Sequence, residues 1–145
     1  MRPEQFVTGV APVLEFFGGW PTFHDTEIRE LRLERQGREE FEGPVLYLVL
    51  GPGELPMPSG TSMDHSGEGA FRLTIRFGTV CELRLEGFNH QNAIMALELE
   101  NISRHPLSPT APGYRVTLEA AHGLAGDFAC ATVEVTEFST HPQSG

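Results

Sequence analysis

The segment from Phe23 to Glu27 holds the densest group of residues that could do chemistry, because it places His24, Asp25 and Glu27 within four positions. Imidazole and carboxylate groups are ligands for divalent metals. In an extended strand adjacent side chains point to opposite faces, so a shared metal would need a turn here or further ligands from elsewhere. The segment therefore predicts a turn in which Asp25 accepts backbone N–H bonds and His24 donates into the same network. Contact with a partner or ligand, or binding of a metal, remains an alternative for His24, Asp25 and Glu27.

A second polar cluster consists of Asn89, His90, Gln91 and Asn92, and it lies between two apolar segments. Amide side chains satisfy backbone groups where a sheet crosses or bulges. The cluster therefore predicts a polar turn. A recognition loop is the alternative, because binding residues concentrate on loops.

Residues that act as nucleophiles or hold cofactors are missing or poorly placed. The chain has no lysine, which excludes Gly-Lys phosphate-binding loops, Schiff-base enzymes and Ser-x-x-Lys acyl transferases. Asp64, His65 and Ser66 are neighbours in sequence, whereas separate rigid elements hold a catalytic triad. Cys81 and Cys130 lie in apolar runs and are predicted to be small buried side chains, with a raised thiol pKa for Cys81, and a disulfide between them remains open. We predict a protein that is not an enzyme, with no catalytic residue, metal or other cofactor assigned.

One short helix and seven strands are predicted to position these clusters. Pro12 suits the start of a helix and Gly18 its end. From Glu27 onward apolar residues recur at every second position, as is typical of half-buried strands. The predicted strands cover residues 28–35, 45–50, 70–77, 80–88, 93–102, 114–121 and 128–137. The fold class is therefore mainly β, with antiparallel sheets around one core, as a sandwich or a strongly twisted sheet, and a short N-terminal helix.

The length of 145 residues predicts a single domain, residues 1–145. Residues 51–69 contain five glycines and three prolines and are predicted to be a flexible loop or insertion. Residues 139–145 are predicted to be a frayed tail.

The apolar rows at residues 71–77 and 81–85 favour a hairpin between these two strands. Matching the rows requires a three-residue loop at residues 78–80. This register also sets Arg76 opposite Glu82 and Arg72 opposite Glu86 on the solvent face. Residues 45–50 are apolar on both faces, which predicts an internal strand.

The formal charge of −10 argues against nucleic-acid and anionic-membrane partners. It favours a basic protein partner, or it serves solubility alone. Alternation turns Glu98, Glu100, Glu119 and Glu134 to solvent, where they are expected to attract such a partner. The chain shows neither a signal-peptide pattern nor an apolar stretch of membrane-spanning length, so we expect a soluble cytoplasmic protein of undetermined oligomeric state.

Two segments resemble a known family. Residues 20–28, Trp-Pro-Thr-Phe-His-Asp-Thr-Glu-Ile, are similar to the opening signature of bacterial immunity protein family fifty, and residues 83–92 resemble its Gly-Phe-Asn-x-Gln-Asn segment. Thr22 and Thr26 stand where the family more often has Ser and Ala. The resemblance implies a mainly β domain that neutralises a polymorphic toxin by stoichiometric binding, and the negative charge of the chain favours a basic toxin domain. The alternative is a small-molecule or metal-binding β module.

Overall fold

The computed structural model describes residues 2–38, 42–51 and 70–141. Of the predicted loop at residues 51–69, Gly51 is the last residue of a strand, and residues 52–69 lie outside the described part of the chain. Within it, eight strands and two short helices follow one another. They are a 3-10 helix Pro3–Gln5, α1 Ala11–Phe17, β1 Glu27–Glu34, β2 Val45–Gly51, β3 Ala70–Gly78, β4 Cys81–Glu86, β5 Ile94–Asn101, β6 Tyr114–Ala120, β7 Ala125–Cys130 and β8 Thr132–His141. In the described residues no helix is long and apolar enough to span a membrane.

The strands form two four-stranded antiparallel sheets, which confirms the predicted fold class. Sheet A has the order β1-β2-β3-β8, and sheet B has the order β4-β7-β6-β5. The inner faces of both sheets supply one hydrophobic core, with Leu48 and Ile75 from sheet A and Val116 and Phe128 from sheet B. Strand β2 lies inside sheet A and is buried on both faces, as its continuous apolar run predicts.

Helix α1 lies where the sequence places it. It begins one residue before Pro12 and ends at Gly18, which adopts a left-handed conformation with φ of 76°. Gly18 donates its N–H to the carbonyl of Leu14 at 2.8 Å. A glycine carries no steric penalty in this conformation, so it stops the helix at this point.

The predicted hairpin between β3 and β4 is wrong, because the two strands belong to different sheets. Residues 78–80 cross from sheet A to sheet B, and the N–H groups of Thr79 and Val80 bond to the carbonyls of Glu42 and Pro44. An alternating pattern fixes which face of a strand is buried but not which strand lies beside it. Two strands that face one core from opposite sheets therefore produce the same matched apolar rows as a hairpin.

The last predicted strand is in fact two strands. The chain crosses from β7 in sheet B to β8 in sheet A at Ala131, whose N–H bonds to the carbonyl of Gly78 at 2.9 Å. The two crossings are thus joined directly. Strand β8 runs to His141, three residues into the segment predicted to fray, and residues 142–145 lie outside the described chain.

Candidate functional site

His24 and Asp25 form a turn, as predicted, but both side chains face solvent, and no described backbone N–H bonds to the Asp25 carboxylate. His24 Nδ1 lies 3.1 Å from Asp25 Oδ2, with 55% and 77% of the side chains exposed. Phe23 and Asp25 both adopt left-handed backbone conformations, with φ of 63° and 67°. Phe23 is buried at 3% exposure, so it anchors the turn in the core while the ionisable pair remains outside.

The structure brings the two polar clusters of the sequence together. The Glu27 carboxylate accepts the backbone N–H of Asn92 at 2.6 Å, and both residues are buried. Backbone bonds on either side continue the contact, from Ile28 N–H to the Asn92 carbonyl and from Ile94 N–H to the Thr26 carbonyl. Because these bonds tie the start of β1 to the start of β5, they join the edges of the two sheets at one end of the sandwich.

Asn92 holds the loops at this end through its side-chain amide. Its Oδ1 accepts the N–H groups of Asn89 at 3.0 Å and Leu124 at 3.1 Å, and its Nδ2 donates to the Asn89 carbonyl at 2.7 Å. Gly123 packs so closely that an added Cβ would lie 2.4 Å from Asn92 Oδ1. Asn92 therefore satisfies backbone groups in the manner predicted for a polar turn.

The remaining residues of the predicted site differ in accessibility. Asn89 and His90 are exposed and Gln91 is half-buried, while the neighbouring Phe88 is 55% exposed. Of the predicted site residues, those with side chains accessible to a partner are thus His24, Asp25, Asn89 and His90. Across the described residues, no three His, Cys, Asp or Glu side chains gather in a metal-binding group.

A groove beside the turn was not predicted from the sequence. It has a volume of about 600 Å³ and lies between the N-terminal segment and the outer face of sheet B. Trp20, Pro21 and Thr22 line one side, and Glu98 and Glu100 of β5 line the other. The only sequence signal for this groove is that Trp20 precedes a proline and directly adjoins the polar turn.

Ionised side chains are distributed unequally between the two outer faces. Ion pairs on sheet A join Arg32 to Glu34, Arg38 to Glu134, and Arg72 to both Glu30 and Glu137, at 3.2–3.8 Å. Glu134 is therefore paired and lies on the opposite sheet from the other three glutamates that were expected to attract a partner.

On the outer face of sheet B, by contrast, several carboxylates lack an ion pair among the described residues. Arg115 stands opposite Glu100 in the sheet register, yet its guanidinium bonds to Glu82 at 2.7 Å and Asp127 at 3.3 Å. The hydrogen bond to Glu82 raises the pKa of Arg115. Four exposed glutamates on this sheet form no ion pair with another described residue; they are Glu86, Glu98, Glu100 and Glu119.

Arg76 departs from its predicted exposed position opposite Glu82. Its side chain is 1% exposed and bonds to Glu42 at 2.5 Å, and its Nε donates to the Tyr47 hydroxyl at 3.2 Å. The hydrogen bond to Glu42 is the main cause that raises the pKa of Arg76 above its ordinary value. Arg72 pairs with Glu30 and Glu137 instead of Glu86, since Glu86 lies on the other sheet.

The two cysteines are free thiols in different environments. Cys130 is fully buried, and burial raises the pKa of its thiol to about 12. Cys81, predicted to be buried, is only partly so and lies 3.6 Å from His105 Nε2. That nitrogen also lies 2.7 Å from the Thr79 carbonyl, and Nδ1 accepts the Leu107 N–H at 3.1 Å. This assigns the Nε2–H tautomer, which leaves His105 no free nitrogen to take a proton from Cys81.

These features define a two-sheet β-sandwich with a hydrogen-bonded polar end and a carboxylate excess on one outer face. The chain belongs to the family Immunity protein 50, whose model matches residues 10–141. This match confirms the family resemblance of the two sequence segments. No curated protein and no solved structure matches the chain significantly.

Proposed function

We propose that this protein neutralises a cognate protein toxin by binding it in a stoichiometric complex, without catalysis. The membership of nearly the whole chain in an immunity protein family is the observation that carries the proposal. A β-sandwich that presents exposed loops and exposed glutamates without an ion pair among the described residues is suited to such a role, because binding residues held on a scaffold lose little entropy on association.

The toxin surface that contacts this protein is basic in our proposal. The chain carries a net charge of −10, and its unpaired glutamates concentrate on the outer face of sheet B. A one-sided negative field attracts a positive surface and repels the phosphates of nucleic acids and anionic lipids. We place the complex in the cytoplasm, where both free thiols persist.

The exposed polar residues at the end of the sandwich contribute to the same interface. His24, Asp25, Asn89 and His90 contact the toxin, while Glu27 and Asn92 hold the loops that present them. Gln91 lies within this loop and contacts the toxin at most in part, because it is half-buried.

The test uses the toxin domain encoded next to the gene for this protein. Co-expression is expected to rescue growth, and titration calorimetry is expected to give one binding site per toxin domain. Surface plasmon resonance at several salt concentrations should show association that slows severalfold from low to physiological ionic strength, with a smaller change in dissociation. Absence of binding and protection would reject the proposed function, while a salt-independent association rate would reject only its electrostatic part.

A further inference from the structure

The groove between the N-terminal segment and β5 combines an apolar wall with unpaired charge. Trp20 and Pro21 supply the wall, whereas Leu97 and Leu99 of β5 turn their side chains toward the core. Strand β5 is an edge strand of sheet B, and beyond its start, where β1 bonds to it, no described strand pairs with its open side. An open volume of about 600 Å³ admits a long side chain of a bound protein.

Glu98 and Glu100 are placed to bind a cation in this groove. Alternate residues of a strand point to one face about 6.6 Å apart, which allows one planar cation to reach both carboxylates. The other ionised residue that lines the groove, Arg115, already bonds to Glu82 and Asp127. The two exposed carboxylates together make the potential in this groove negative, which favours a cation from outside.

We infer that this groove receives an arginine side chain from the protein that the chain binds. The aliphatic stem packs on Trp20 and Pro21, and the guanidinium bonds to the carboxylates of Glu98 and Glu100. Arginine suits the groove better than lysine because its planar fork donates several hydrogen bonds and stacks on an aromatic ring. This inference rests on the proposed function, since it assigns part of the toxin interface.

The experiment compares two double variants that change the net charge equally. Glu98→Gln with Glu100→Gln neutralises the groove, while Glu30→Gln with Glu34→Gln removes two exposed, ion-paired carboxylates on sheet A. Both are measured by surface plasmon resonance against the adjacent toxin domain, and urea unfolding checks that each variant folds. The groove variant is expected to bind at least about tenfold more weakly, with faster dissociation, and the sheet A variant within about twofold of the original protein.

Toxin variants identify the arginine. Each surface arginine of the toxin domain is changed to alanine, and binding is measured with the original protein and with the groove variant. For one arginine, the change to alanine is expected to weaken binding to the original protein but not to the groove variant. A double-mutant cycle requires this of directly interacting groups. The inference is overturned if the toxin binds both double variants equally or if no arginine couples to Glu98 and Glu100. If the original protein does not bind the toxin domain at all, the proposed function on which this inference rests is rejected instead.

Discussion

Replacement of Glu42 by glutamine is expected to be strongly destabilising, because it leaves a buried guanidinium without its carboxylate. Arg76 is 1% exposed and Glu42 is 17% exposed. Arg76 Nη2 is buried with no hydrogen-bond partner among the described residues, so the pair with Glu42 is the main compensation for burying this charge. Breaking a buried pair on one side costs about 3–5 kcal/mol. We expect about 3 kcal/mol for Glu42→Gln, since the partial exposure of Glu42 admits some water.

The reasoning also predicts how the partner substitution behaves. Arg76→Met removes the charge and keeps much of the volume, and replacing buried ions by apolar groups is often close to neutral. The double variant Glu42→Gln with Arg76→Met is therefore expected to be more stable than Glu42→Gln alone. This rescue distinguishes an unpaired buried charge from a simple loss of contacts, which would make the two costs add.

Urea unfolding followed by the fluorescence of Trp20, the single tryptophan, measures these free energies. Glu34→Gln is the matched control on the same sheet, because it breaks an exposed pair with Arg32 at 3.7 Å and is expected to cost under about 1 kcal/mol. If Glu42→Gln costs no more than this control, or if the double variant is the least stable protein, the assignment of Arg76 and Glu42 as a buried pair is wrong.

Three further substitutions test the core and the polar end, each by urea unfolding, with circular dichroism as the signal for the variant that lacks Trp20. Asn92→Ala leaves two backbone N–H groups and one carbonyl unpaired and is expected to lower the free energy of unfolding by about 3 kcal/mol. The control Gln91→Ala in the same loop should cost under about 0.5 kcal/mol. Equal costs would contradict the role of Asn92. Trp20→Ala is expected to cost about 3 kcal/mol because the ring packs edge-on against Phe23 at 5.5 Å, and a loss under about 1 kcal/mol would make Trp20 purely a surface residue. The Cys130 thiol has its pKa raised from 9.0 to about 12 by burial. Its contribution to the free energy of unfolding is therefore fully present below pH 9 and is lost as the pH rises towards 12. Between about pH 9 and 10.5 the original protein should lose about 2 kcal/mol more than Cys130→Ala, and parallel losses would refute this.

Local features of the fold were predictable because neighbouring residues determine them. Gly18 ends the helix through its own backbone conformation, and β2 is internal because both of its faces are apolar. The turn at His24 and Asp25 follows in the same way from the residues that form it. Each prediction depended on side chains within one short segment.

The assignment of strands to sheets was not predictable from the same pattern. A strand in either sheet turns one face to the same core, so β3 and β4 show matching rows without pairing. The break at Ala131 carries no glycine or proline, and the run from β7 into β8 therefore reads as one strand. The burial of Arg76 could not be predicted for a related reason. The residue that pairs with it, Glu42, lies before β2 and far from Arg76 in sequence, so no local pattern links the two.

The motif residues that mark the family are mainly residues that build the fold. Phe23 lies in the core, and Glu27 and Asn92 join the two sheets through buried hydrogen bonds. Substitutions at such positions act on stability first, since they leave buried groups unpaired. Under the proposed function, discrimination between toxins therefore requires exposed residues whose change leaves the fold intact, and Glu98 and Glu100 meet that condition because their removal breaks no described ion pair. A related protein that recognises a different toxin is thus expected to keep the hydrogen bonds around Asn92 and to differ in the groove beside Trp20.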